Sequence, residues 1–325
     1  MTKENTIAVY GAGGFGINIA SQFQRFVGRK DPGFAKIVPY FIDTSKSNLL
    51  ESVPENTYLV EGLDGSGKLR NSNYAIIAEK SKEILHKFRP ADINIVVHSG
   101  GGGSGSVIGP VLASELLARG ETVIVLIGGS TSSRIETENT KKTLQSYEMI
   151  SQKRDKPVIC FYRENTKDTP RGVVDNQMQV AVVVLAAIFS GANRELESAD
   201  LGNWINYNKV TSYSPKLNML EFHSNIVKLG KNQSLISLAT LTDDNHSSDI
   251  DVPVEYQCVG YVGEKAKDAI SMEMPIHACI VGGVFNQTVA DLEEKVAVFD
   301  ELRAVVVEKS IIKSSSSSTN DGLIL

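Results

Sequence analysis

The chain of 325 residues is poor in cysteine, with Cys160, Cys258 and Cys279 far apart and odd in number. That argues against a disulfide framework or a cysteine-built metal site and fits buried free thiols in a reducing compartment. It has no excess of positive charge: 33 Lys and Arg stand against 38 Asp and Glu, a net −5 with both signs interspersed. Broad electrostatic binding of nucleic acid is therefore not expected. No apolar run reads as a membrane span. The most apolar, Val180 to Phe189, lies mid-chain and reads as a buried helix. The opening residues, MTKENTIAVY, carry no secretory apolar region. No internal repeat is found. The P-loop signature G-x-x-x-x-G-K-[ST] is missing too, since no lysine follows the richest glycine stretch.

What is present is enough for real cores, with 42% apolar residues and a length that suits two lobes. The first half alternates. Strand-like runs are Thr6–Tyr10, Ile37–Ile42, Asp92–His98, Thr122–Gly128 and Pro157–Tyr162. Helical patterns lie between them at Asn73–Phe88, Val107–Ala118 and Glu136–Gln152. Such alternation predicts an α/β fold with a doubly wound, mostly parallel sheet, whose ligands collect at the carboxyl ends of the strands. Residues 173–190 are nearly continuously apolar after a polar start and predict a central helix buried on most sides between two lobes. Short strands then recur at Leu235–Leu241, Tyr256–Val262 and Ile276–Phe285. A last helix, about Gln287 to Lys313, carries apolar residues at helical spacing. The end, SSSSSTNDGLIL, is low-complexity serine with an apolar tip.

Two glycine-rich loops stand out. Gly11, Gly13 and Gly16 in YGAGGFGINIA spell G-x-G-x-x-G after a strand, and Asp43 ends the next strand, where a ribose-binding acid would sit. Alone, that fits a dinucleotide-binding oxidoreductase. The second loop, Ser99-Gly100-Gly101-Gly102-Gly103-Ser104-Gly105-Ser106, falls between a strand and a helix start. Glycine lets backbone N–H groups come close to an anion, and a helix N-terminus favours negative charge, so this reads as a phosphate cradle. Two loops around one ligand suit a nucleoside di- or triphosphate better than a dinucleotide. No paired catalytic His or Tyr-x-x-x-Lys accompanies the fingerprint.

At these residues the chain resembles the tubulin/FtsZ superfamily. SGGGGSGS is similar to that family's glycine-rich GGGTGTG/GGGTGSG loop. GAGGFGINI resembles its first nucleotide loop, bringing in Ala12, Gly14 and Asn18. FIDTS resembles the second, with Asp43 near the phosphates and Mg²⁺. EGLDGSGK, residues 61–68, stands where the third loop, which senses the γ-phosphate, would be. The resemblance implies GTP and GDP as ligands, with Mg²⁺ near Asp43, directly or through water. It implies ribose contacts from Glu138 and Asn139, with Glu136 as competitor, and a guanine contact from Asn165. The guanine edge would be read by Asp175 or Asn176. Arg171 stands where the family often stacks an aromatic on the base.

The resemblance further implies a nucleotide held between subunits of a head-to-tail homopolymer, hydrolysed with two acids supplied by the neighbour. Glu197 and Asp200 have that spacing; a second register pairs Asp200 with Asn203 and would make a poor GTPase. The expected division is a GTP-binding domain at 1–172, a central helix at 173–191 and an acid-loop and second α/β lobe at 192–286. A C-terminal helix at 287–313 and a flexible tail at 314–325 follow. The chain looks most like the phage-encoded tubulins, the PhuZ group, which implies a filament positioning phage DNA in the cytoplasm of an infected bacterium. No membrane or direct nucleic-acid contact is expected, and phage DNA or capsid cargo would be reached through other proteins. Whether the tail, through Leu323, Ile324 and Leu325, grips the next subunit is left open, as is a plasmid-segregating polymer with weak GTPase.

Overall fold

The computed structural model describes residues 5–27, 33–50, 52–63, 67–68, 70, 73–225, 233–263 and 275–316, with side chains in the last helix described through Val305. Six strands build the first half, the longer ones largely buried and so read as apolar runs: β1 (Thr6–Ala12), β2 (Lys36–Asp43), the short β3 (Thr57–Leu59) at the edge, then β4 (Ile93–Ser99), β5 (Val123–Ser130) and β6 (Val158–Asn165). Four more follow: β7 (Leu217–His223), β8 (Ser234–Thr242), β9 (Tyr256–Tyr261) and β10 (Ile276–Gly282). All ten form one sheet in the order β3-β2-β1-β4-β5-β6-β7-β10-β8-β9. Every neighbouring pair is parallel except those of β10 with β7 and with β8. β7 joins the first half only through Val158–Cys160 against Leu217–Met219.

Helices cover both faces. On one lie α1 (Gly13–Ser21), α5 (Arg171–Ile188) and α6 (Ser198–Ile205), packed through Ile17, Ile19, Met178, Leu185 and Trp204. On the other lie α2 (Tyr74–Lys87), α3 (Gly105–Ala118), α4 (Arg134–Arg154) and α7 (Val284–Ser316), packed through Ile77, Leu112, Leu116, Leu144 and Leu292. α4 has a legible start and stop. Ser133 accepts the Glu136 N–H as N-cap, Lys153 and Arg154 occupy the last turn, and Asp155 closes it at φ 51°.

α5 is the expected central helix. It is longer than its apolar run suggests, long and apolar enough by length and composition to cross a membrane, yet half of it is buried against the sheet. Its last five residues, Val184 to Ile188, are fully enclosed, while Val173 and Val180 are exposed. Of the expected C-terminal helix and tail, the helix spans Val284–Ser316; residues 317–325, with Leu323, Ile324 and Leu325, lie outside the described residues.

Candidate functional site

The strand order changes direction at β1: β2 pairs on one side and β4 on the other. Chain crossovers leave that point in opposite directions, which opens a crevice at the carboxyl ends of the strands. The two glycine loops, one after β1 and one after β4, meet there. They touch backbone to backbone. Gly13 sits at φ +69°, and a Cβ on it would fall 2.8 Å from the Gly105 nitrogen. Gly11 is enclosed against the Gly16 carbonyl and serves packing. Gly102 differs, because a Cβ there would meet only the Ser99 side chain, at 3.7 Å. It stands at the open lip of the cradle.

The loop after β2 closes the floor. Asp43 is 1% exposed. Its Oδ1 accepts the Thr44 N–H and its Oδ2 accepts the Asn48 amide, both at 2.7 Å. The Thr44 and Ser104 hydroxyls are 2.6 Å apart, which joins this loop to the cradle. Ser106 is buried and donates to the Gly103 carbonyl at 3.2 Å. Thr44 and Asn48 are therefore part of the site, although the sequence reading passed over them; the turn composition of IDTSKSN was the available signal.

The three expected ribose residues are engaged differently within the protein. Glu138 pairs with Lys141 and Lys142 of its own helix, at 3.2 and 3.3 Å. Glu136 is the acid at the cradle: it takes a bond from Ser130 at 3.0 Å and pairs with Lys68 at 2.6 Å, and its backbone lies against Gly101. Asn139 is buried, and its amide is spent on the carbonyls of Gly101 and Lys68, at 3.2 and 2.9 Å. Its side chain braces the cradle from within the protein. Of the third loop, Lys68 is seen against Glu136 and Asn139, whereas residues 64–66 lie outside the described residues. Asn165 ends β6 opposite Ser130, at the same rim.

At the other wall α5 begins. Asn176 is exposed, while Asp175 is drawn in, its Oδ2 accepting the Asn18 amide at 3.1 Å and lying 3.7 Å from Arg171 Nε. Its other oxygen, Oδ1, is buried with no hydrogen-bond partner. Burial raises the Asp175 pKa above the usual carboxylate value, with Arg171 and the Asn18 bond pulling the other way. A buried acceptor without a donor is costly and signals a group that supplies one.

The acid pair lies elsewhere. Glu197 and Asp200 form a reciprocal capping box at the start of α6: the Glu197 side chain takes the Asp200 N–H, and Asp200 Oδ2 takes the Glu197 N–H at 2.9 Å. Asn203, the alternative partner of Asp200, is engaged by the Tyr256 side chain. Upstream, the Ala186 carbonyl takes the Ala35 N–H and the Phe189 carbonyl takes the Asn5 amide, at 2.8 and 3.0 Å. Residues 5 and 35 lie immediately before β1 and β2. The end of α5 therefore sits at the amino ends of strands whose carboxyl ends hold the cradle. With 18 residues, α5 spans about 27 Å, and the acids cannot reach this subunit's own cradle.

No protein-family model matches the chain. It is 31% identical over 246 residues, 75% of each chain, to a phage tubulin-like protein of Pseudomonas phage PhiPA3. Its fold superposes on the TubZ protofilament of bacteriophage PhiKZ with a TM-score of 0.79 and 25% identity, covering 99% of this chain and 96% of that one. It also superposes on the phage tubulin PhuZ in its GDP form, with a TM-score of 0.80, 18% identity and 98% and 95% coverage.

Proposed function

The chain belongs to the phage tubulin-like proteins, and from that premise we propose that it is a filament subunit that binds GTP, polymerises head to tail and hydrolyses GTP where two copies meet. The observation that carries the reading is the unpartnered, buried Oδ1 of Asp175 beside Asn18, at the mouth of the joined glycine loops. Guanine presents two adjacent donors, its ring N–H and exocyclic amine, that satisfy a carboxylate; adenine offers an acceptor at the matching ring nitrogen. The open space at Gly102 suits a phosphate. Mg²⁺ would be held chiefly by phosphate oxygens, as is usual for that ion. Asp43 would act through water, because both its oxygens already accept bonds inside its loop. The ion supplies neutralisation of charge on the transferring phosphoryl group.

For hydrolysis, water attacks the γ-phosphorus, the bond to the β-phosphate oxygen breaks and GDP leaves. Glu197 and Asp200 of one copy orient that water and take its proton at the nucleotide of the next. The capping box supports this role because it fixes both carboxylates at the start of a helix. The same family membership supports a cytoskeletal role in the cytoplasm of an infected bacterium, with phage DNA or capsid as cargo reached through other proteins.

The test is a calorimetric panel of GTP, ATP and NAD with Mg²⁺. GTP is expected to bind at least about 10-fold more tightly than ATP, since leaving the buried Asp175 acceptor unpaired costs about 1–3 kcal/mol. Asp175→Ala should remove that preference. Equal affinity for ATP, or retained preference in the variant, would overturn the guanine assignment.

A further inference from the structure

The cradle is tied down from beneath. Three successive carbonyls, those of Ser99, Gly100 and Gly101, each lie against a buried side-chain donor: His98 Nδ1 at 3.1 Å, Thr143 Oγ1 at 3.0 Å and Asn139 Nδ2 at 3.2 Å, the one Thr143 proton being shared with the Asn139 carbonyl at 2.7 Å. His98 and Thr143 are wholly buried and Asn139 is 6% exposed. The His98 tautomer follows from its partners. A carbonyl only accepts, so Nδ1 carries the hydrogen, and the Tyr147 hydroxyl donates to Nε2 at 2.7 Å. Desolvation holds His98 down at about 4, so the ring is neutral at physiological pH. Gly109 makes room for the ring: a Cβ there would fall 2.3 Å from His98 Cδ2. Asn139 and Thr143, four apart, share the face of α4 that lies on the loop.

In a trans peptide the carbonyl and the following N–H point in opposite directions. Holding the Gly100 and Gly101 carbonyls against α4 therefore turns the N–H groups of Gly101 and Gly102 away from it, the latter resting on the Ser99 hydroxyl at 3.3 Å. Without such anchors a run of four glycines would be among the most freely moving stretches of any chain, and ordering it would cost binding affinity.

We propose that His98, Thr143 and Asn139 are positioning residues that hold the cradle in its phosphate-binding shape before nucleotide arrives, so that GTP affinity is set partly by side chains that never touch it. This rests on the reading of residues 100–106 as the phosphate site. Thr143→Val is the decisive variant: it keeps the shape and removes the donor. GTP binding should weaken about 2- to 10-fold, the worth of one hydrogen bond, while guanosine, which has no phosphate, should bind as before. Thr143→Ser should restore GTP binding. Asn139→Asp, which sets an acceptor against the Gly101 carbonyl, should repeat the selective loss. Wild-type GTP affinity in Thr143→Val, equal losses for GTP and guanosine, or no recovery in Thr143→Ser would overturn the proposal. Gly102→Ala separates the two readings. Its methyl would make only an ordinary contact with the Ser99 side chain, at 3.7 Å, and otherwise stand in the open space at the lip of the cradle. If Gly102→Ala also binds GTP normally, the phosphate site itself is misassigned. If it binds poorly while Thr143→Val does not, only the anchoring falls.

Discussion

His98 has a second consequence at the scale of the single residue, because burial lowers its pKa from 6.5 to about 4, with Arg70 adding to the shift and the Ser99 bond opposing it. The unfolded chain then binds a proton that the folded chain refuses. The stability this residue contributes is complete above about pH 6.5 and is lost as pH falls toward 4, a loss of about 3 kcal/mol. Thermal unfolding between pH 7.5 and 5 should show the wild type losing stability, and His98→Gln should flatten the slope. His277, also lowered by burial, leaves some slope behind. An unchanged slope in the variant would remove His98 from the account. Single residues were unevenly legible in the sequence. Asp175 and Asn176 both fitted the start of α5, and only the three-dimensional neighbourhood, with Asn18 arriving from α1, separates them. Glu138 looked as good as Glu136 because one helical turn carries both acids. The lysines three and four positions on pair with Glu138, and no linear pattern says which side of α4 meets the cradle.

Elements were legible in proportion to how buried they are. β1, β4 and β5 show as apolar runs because helices cover both faces. β3, three residues long, is too short to show any period, and β7 hides because Asn218 and Glu221 break its run. The start of α6 carries the sharpest expectation at this scale. Asp200→Ala removes one half of a capping box, which costs about 1 kcal/mol in stability, and removes a proton-accepting group, which costs roughly 10²–10⁴-fold in turnover. GTP binding should stay near wild type, because α5 keeps this loop away from the subunit's own cradle. A filtration assay for bound GTP beside phosphate release checks both. Normal turnover, or lost GTP binding, would contradict the assigned role.

For the whole molecule, the fold class could be read from alternating strands and helices, but the joining of both halves into one sheet could not. That join rests on three residue pairs between β6 and β7, more than fifty positions apart in the chain, and non-local pairing leaves no local trace. The predicted division of labour between copies is testable in mixtures. Asp200→Ala brings an intact cradle and Gly102→Ala an intact acid loop, so mixing them should recover turnover that neither shows alone. Wild-type turnover should rise more steeply than in proportion to protein concentration. No recovery together with strictly proportional turnover would place the chemistry within one subunit. The separation enforced by α5 also sets an arithmetic of ends. If each subunit offers a cradle at one pole and acids at the other, a filament of n copies contains n − 1 complete sites. A lone subunit contains none. One terminal copy keeps GTP with no acids to consume it, and the other presents acids to solvent. The two tips then age differently from the interior, and the filament has a chemically young end and a bare one by construction.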